Sequence, residues 1–234
     1  IAELFCSLQG EGRLTGAASV FVRTSGCNLR CGYCDTPFAS WSPEGEELSV
    51  EEVILRVEQR ACTGNDARAI DHVVVTGGEP MLYAELIPLC RRLRELGKHI
   101  TVETAGTLYL PVECDLMSIS PKMRNSTPAA TSDPRWTWRH ETVLHAPDIV
   151  RRLVTEYDYQ VKFVIDKPDD LPEVEAYLAE APEIERAKAM LMPQGTDPDG
   201  LAEKTAWIKP YCDQHGLAFC PRRQIEWFGS RRGT

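Results

Sequence analysis

Short continuous apolar blocks alternate with amphipathic stretches along this chain, separated by polar, glycine-marked turns. The blocks at 19–23, 71–76, 98–103, 114–119, 159–165, 188–192 and 217–220 predict β-strands, because uninterrupted runs rich in Val, Ile and Phe suit a sheet covered on both faces. The stretches at 50–61, 81–96, 146–156, 169–180 and 199–215 predict helices. Ser49 and Glu52 have capping-box spacing ahead of the first. Pro80 marks the start of the second and Gly97 its end. Residues 4–12 read as an apolar stretch running into a turn punctuated by Gly10 and Gly12, which displays Gln9 and Glu11. The pattern loosens at 123–145, where Pro, Ser, Thr, Trp136 and Trp138 suggest a long loop or lid.

Strands alternating with helices imply right-handed crossovers and a parallel sheet. Six or seven strands suit a modified partial (β/α) barrel with an irregular C-terminal part, and a doubly wound sheet is the alternative. The polar loops after the strands would then share one rim, where parallel barrels place their sites. At 234 residues, the chain is expected to form one domain, 1–234, with the segment around 123–145 as its lid.

Composition narrows the function. The formal net charge of -9 argues against a nucleic-acid surface and favours a small-molecule substrate. No run of about 18 apolar residues occurs, so no membrane span is expected. With no signal-peptide pattern, a cytoplasmic enzyme is the expectation. Arg222, Arg223, Arg231 and Arg232 collect near the end, as a solvated tail or as an anchor for an anionic group. Of the nine cysteines, Cys6, Cys62, Cys90, Cys114, Cys212 and Cys220 are scattered and read as reduced, mostly buried thiols.

The other three, Cys27, Cys31 and Cys34, are spaced C-x3-C-x2-C. A closed zinc site wants four ligands. Three thiolates on one loop can instead hold three irons of a [4Fe–4S] cluster and leave the fourth open. Gly26 and Gly32 permit the tight wrapping this needs. Arg23, at the end of the strand leading into the loop, suits a carboxylate-bearing substrate or an ordinary salt bridge. Gly77-Gly78-Glu79-Pro80 ends another strand, where glycines expose backbone and a carboxylate can accept from an ammonium group.

The cysteine spacing, with Tyr33 before the last cysteine, resembles the signature of the radical S-adenosylmethionine (SAM) enzymes. Gly77-Gly78-Glu79-Pro80 resembles their GGEP motif, which binds the methionine amino group. Gln9-Gly10-Glu11-Gly12, Arg23, Asp35-Thr36, Glu103-Thr104-Ala105-Gly106 and Ser120-Pro121-Lys122 recur in an order that resembles the 7-carboxy-7-deazaguanine synthase family. Val161-Lys162-Phe163-Val164 and the tail from Trp227 to Gly233 extend that likeness.

The resemblance implies a radical SAM lyase with a partial barrel of about six parallel strands, serving queuosine and deazapurine biosynthesis. It would convert 6-carboxy-5,6,7,8-tetrahydropterin to 7-carboxy-7-deazaguanine with loss of ammonia. Its cofactors would be a [4Fe–4S] cluster, SAM and Mg²⁺, its state a homodimer, and its electron donor a flavodoxin or ferredoxin. Cys27, Cys31 and Cys34 would hold the cluster, and Thr36 would bind Mg²⁺. Leu8, Gln9, Gly10, Arg23 and Thr76 would bind substrate. Tyr33, Cys34, Asp35, Gly78, Glu79, Glu103, Ser120, Pro121, Lys122, Lys162, Pro193, Gln194, Gly195 and Thr196 would line the SAM site. No side chain need act as nucleophile. Two other readings share part of the pattern: an activase of a glycyl-radical partner protein, and an iron–sulfur or zinc binding module.

Overall fold

Each apolar block read as a strand forms one, and they join in the order in which the chain makes them. In the computed structural model, which describes residues 1–61, 70–129 and 134–234, the strands are β1 (Glu3–Leu8), β2 (Ala18–Thr24), β3 (His72–Gly77), β4 (His99–Thr104), β5 (Leu116–Ile119), β6 (Tyr159–Ile165), β7 (Ala189–Pro193) and β8 (Ala218–Phe219). They form one sheet ordered β1 to β8 without reversal. β1 pairs antiparallel with β2, and every later pair is parallel.

That monotonic order decides the architecture. A doubly wound sheet reverses its order at a switch point; this one never does, so right-handed crossovers all pass on one side. The edge strands β1 and β8 do not pair with each other, so the barrel is partial. The helices are α1 (Pro37–Ser40), α2 (Val50–Ala61), α3 (Leu86–Glu95), α4 (Pro134–Val143), α5 (Pro147–Glu156), α6 (Leu171–Glu180), α7 (Pro198–His215) and α8 (Arg223–Phe228). Val53, Val57, Leu93, Leu153, Val174 and Ile208 of this layer share one core with Val20, Val73, Val75, Val102, Phe163 and Leu191 of the sheet.

Side chains alternate across a strand, so the residues between those core positions face the other way, into the trough. They include Arg23 and Thr76, which are register partners, Glu103 and Ser118, also partners, and Lys162. The strands thus bury their apolar set under the helices and aim a polar set inward.

Several expectations need correction. Residues 4–8 belong to an antiparallel edge strand, β1, whose Phe5 stacks on Phe21 at 5.0 Å. The helix expected over 81–96 divides, because Pro80–Leu82 makes a single 3-10 turn before α3. The expected lid contains α4, whose packed face is Trp136 and His140 rather than an aliphatic stripe. The tail forms α8. Cys6 is exposed, and Cys62 lies outside the described residues. The Ser49–Glu52 capping box forms as expected, with Glu52 accepting from the Ser49 amide at 2.7 Å. Among the described residues, no helix is long and apolar enough to cross a membrane.

Two buried histidines make stability depend on pH. His72 Nδ1 meets the Ser19 hydroxyl and Nε2 the Thr101 hydroxyl, each at 2.8 Å. Burial, with the neighbouring His99 second, pulls its pKa down to about 4, and burial does the same for His140. The unfolded chain binds a proton at each site near pH 6.5 and the folded one does not until about 4. Stability is therefore full above that unfolded value and declines as pH falls toward 4, by up to roughly 3 kcal/mol per histidine. Urea midpoints of the metal-free protein should drop between about pH 7.5 and about pH 5. His72→Asn should flatten part of the slope, and an unchanged slope would contradict this account.

Candidate active site

The loops that follow the parallel strands meet over the trough and enclose a cleft of about 370 Å³. Its wall carries Leu8 from the end of β1, Gln9 and Gly10 from the loop after it, and Arg23, Thr76, Glu103 and Lys162 from the later strands. It also carries Cys27, Cys31, Tyr33, Cys34, Asp35 and Thr36 from the cysteine loop, with Gly78, Ser120, Lys122, Gln194 and Thr196 from later turns. Segments far apart in sequence thus converge on one space.

The two strongest motifs are joined by their backbones. The Gly78 amide donates to the Thr24 carbonyl at 3.3 Å and the Glu79 amide to the Gly26 carbonyl at 2.9 Å. Gly26 has a φ of 97°, and a Cβ on Gly78 would lie 2.1 Å from the Gly26 oxygen. Only glycine allows these turns to lie so close. Position 78 therefore couples the cysteine loop to the end of β3.

Glu79, expected at the SAM site, directs its carboxylate away from the cleft. It is fully buried and off the cleft wall. Its carboxylate accepts from the Met81 amide at 3.0 Å, the Thr104 hydroxyl at 2.8 Å and the Ala105 amide at 2.8 Å. Burial pushes its pKa up, against those three donors. It ties the end of β3 to the end of β4, which fixes the Gly77–Gly78 backbone at the cleft. Glu79→Gln would turn an amide N–H₂ toward at least one donor, costing roughly 3 kcal/mol. Urea denaturation measures this, and a change below about 1 kcal/mol would refute the bracing role.

Pro121, Pro193 and Gly195, expected at the SAM site, are also absent from the wall. Pro121 and Pro193 are buried, and the Gly195 carbonyl accepts from Arg222 Nη1 at 2.6 Å.

The three cluster cysteines are free thiols lining one cleft. Burial pushes Cys27 up to about 11 and Cys31 up to about 12, so metal loading must displace protons. The Leu29 amide donates to Cys27 Sγ at 3.4 Å, and the Ser40 hydroxyl lies 3.1 Å from Cys34 Sγ. Among the described residues, no three His, Cys, Asp or Glu side chains converge on a single metal-ion position. Three thiols of one loop on one cleft fit a cluster with one iron open.

A buried chain of charges crosses the cleft. Lys162 Nζ lies 2.8 Å from Glu11 Oε2 and 3.7 Å from Glu103 Oε1. Gln9 Nε2 donates to Glu103 Oε1 at 3.2 Å. Arg222 Nε is 3.5 Å from Glu11 Oε1, and its Nη2 pairs with Asp35. Gln224 Nε2 donates to Glu11 at 2.7 Å. Burial alone would raise the Glu11 carboxyl, but Lys162 and Arg222 outweigh it and hold the group at about 2. Burial likewise opposes the Lys162 charge, and Glu11 and Glu103 outweigh it, keeping the ammonium above the usual lysine range.

Arg23 Nε pairs with Glu3 at 2.8 Å, and Arg232 reaches the other oxygen of the same carboxylate at 2.8 Å. Sequence reasoning displayed Glu11 without a role and left Arg222 and Gln224 unassigned. Tail charge alone was the signal for Arg222, and it pointed to a solvated residue or an anion anchor; the structure buries Arg222 among carboxylates.

The sequence profile of the radical SAM superfamily matches residues 21–123. A protein of Rhodopirellula baltica named 7-carboxy-7-deazaguanine synthase is 43% identical, the match covering 100% of this chain and 88% of the relative. One of the same name from Halobacterium salinarum is 42% identical over 96% of this chain and 88% of its own. The crystal structure of QueE from Escherichia coli superposes with a TM-score of 0.69 at 22% identity, covering 95% of this chain and 93% of that one. This last likeness is one of fold.

Proposed function

The chain belongs to the 7-carboxy-7-deazaguanine synthase family of the radical SAM superfamily, and from that premise we propose that it converts 6-carboxy-5,6,7,8-tetrahydropterin to 7-carboxy-7-deazaguanine with loss of ammonia. It is a radical SAM lyase whose cofactors are a [4Fe–4S] cluster, SAM and Mg²⁺. The observation that carries the substrate reading is a single cleft. Three thiols of one loop share it with the inward-facing Arg23, Thr76, Glu103 and Lys162.

Cys27, Cys31 and Cys34 would hold the cluster, and Tyr33, Gly78, Ser120 and Lys122 would flank SAM. When bound, this pair supplies the radical that begins the reaction. The side chains hold and orient. Arg23 offers a planar fork to a substrate carboxylate, and Glu3 fixes its direction. Gln9 and Lys162 orient the Glu103 carboxylate through Oε1, and that carboxylate would accept from a ring N–H of the substrate. Thr36 would offer its hydroxyl to Mg²⁺, and with so few protein oxygens the ion would bind well only alongside the substrate. Holding the substrate rigidly keeps one hydrogen in reach and excludes water.

A one-electron donor of the flavodoxin or ferredoxin kind, a homodimeric assembly and a cytoplasmic location complete the reading. The test is anaerobic reconstitution followed by SAM, the carboxypterin and Mg²⁺. Pterin-dependent 5′-deoxyadenosine and the deazaguanine product are expected. Deoxyadenosine formed without any deazaguanine would overturn the substrate.

A further inference from the structure

Two hydrogen bonds grip the backbone on either side of Cys31. The Arg30 amide donates to His140 Nδ1 at 3.1 Å, and the Gly32 amide donates to the Ser126 carbonyl at 2.8 Å. His140 is 0% exposed. Its Nδ1 accepts, so the ring proton sits on Nε2 and is donated to Ser126 Oγ at 2.9 Å. The Ser126 hydroxyl in turn donates to the Met123 carbonyl at 2.6 Å. Ser126 is therefore shared by both grips, through its carbonyl on one side and its hydroxyl on the other.

The same segment covers the rest of the loop. Trp136 of α4 lies 4.0 Å from the Arg30 guanidinium. Arg30 Nη1 donates to the carbonyls of Cys27 and Leu29, at 2.7 Å each. Neither His140 nor Ser126 lines the cleft, and neither is needed by the binding roles given above.

We propose that His140 and Ser126 are positioning residues for the iron–sulfur cluster, fixing the peptide on both sides of Cys31 so that its sulfur is presented in one direction. The proposal rests on the cluster assignment of the preceding subsection. The physical reason is that Arg30 is buried, so its amide needs an acceptor. A neutral imidazole supplies that acceptor and a donor at fixed separation. Without it the loop relaxes, and the three sulfurs lose their common alignment. Partners that orient metal ligands in this way typically control affinity by 10–100-fold.

The test compares wild type, H140L, H140N and H140Q after anaerobic reconstitution. The readouts are iron release to a ferrous chelator, the electron paramagnetic resonance (EPR) spectrum of the reduced cluster, and thermal unfolding of the metal-free protein. Asparagine places an oxygen close to the Nδ1 position and keeps the acceptor for Arg30; glutamine reaches the Nε2 position and does not. H140L and H140Q should release iron roughly 10–100-fold faster than wild type, with a changed EPR spectrum. H140N should stay close to wild type in both.

Equal iron release from H140N and H140Q overturns the proposal, as does wild-type retention in H140L. Should H140L fail to fold, the comparison of the two amides decides. A wild-type protein that takes up no cluster sinks the cofactor assignment itself, which is a separate and recognisable failure.

Discussion

Alanine at Cys31 is expected to abolish the iron–sulfur absorbance of the reconstituted protein and to take turnover below detection. Cys31 is the most deeply buried of the three thiols, with 9% of its surface exposed. Alanine offers no ligand atom in its place, and two thiolates are too few to hold a cluster with one open iron. The metal-free variant should still fold, because the loop is held by backbone contacts such as the Glu79 amide to the Gly26 carbonyl. Iron content, visible absorbance and SAM-dependent deoxyadenosine release are the measurements. Full iron and wild-type turnover in Cys31→Ala would falsify the cofactor assignment. The raised thiol pKa values, about 11 and about 12, add a dependence on pH. Loading requires deprotonation, so reconstitution yield should rise with pH and fall as pH is lowered.

Lys162→Met is expected to produce the second large effect, and on stability as well as activity. Lys162 is only 4% exposed and lies between two carboxylates, Glu11 at 2.8 Å and Glu103 at 3.7 Å. Methionine fills similar space but removes the charge that holds the Glu11 carboxyl low. Breaking a buried pair from one side costs about 3–5 kcal/mol, because the surviving charge is left without compensation. Arg222 and Gln224 still touch Glu11, which places the loss toward the lower end. Glu11→Gln added to Lys162→Met should restore part of it, since the nearer of the two carboxylates no longer faces the vacated position as a charge. Denaturant titration of the metal-free forms gives the cycle. A single variant within about 1 kcal/mol of wild type would mean the network carries no coupling.

The cysteine loop and the Gly77–Gly78 turn were legible in the sequence because their chemistry is local. Three thiols within eight residues, or two glycines at a strand's end, state their requirement in consecutive letters. Arg23, Glu103 and Lys162 were legible as motif residues, and their convergence followed from alternation on parallel strands. The surroundings of Glu79 were hidden for the opposite reason. A carboxylate next to a ligand-binding turn looks available until its own hydrogen bonds are known, and those come from Thr104 and Ala105, far along the chain. His140 gave no usable signal, since one histidine among tryptophans and arginines has no spacing to read.

The sequence by itself determined the apolar strands, most of the helices between them and the cofactor loop, because burial period and short-range ligand spacing are properties of neighbouring residues. Only the tertiary structure decided that the sheet runs in chain order and stays open, that Arg222 and Glu11 meet across the cleft, and that α4 lies under the cysteine loop. Those outcomes depend on contacts between segments 100 or more residues apart, such as Arg30 with His140 and Glu11 with Lys162. The physical reason is that pairing, burial and charge compensation act through space, where separation along the chain carries no information.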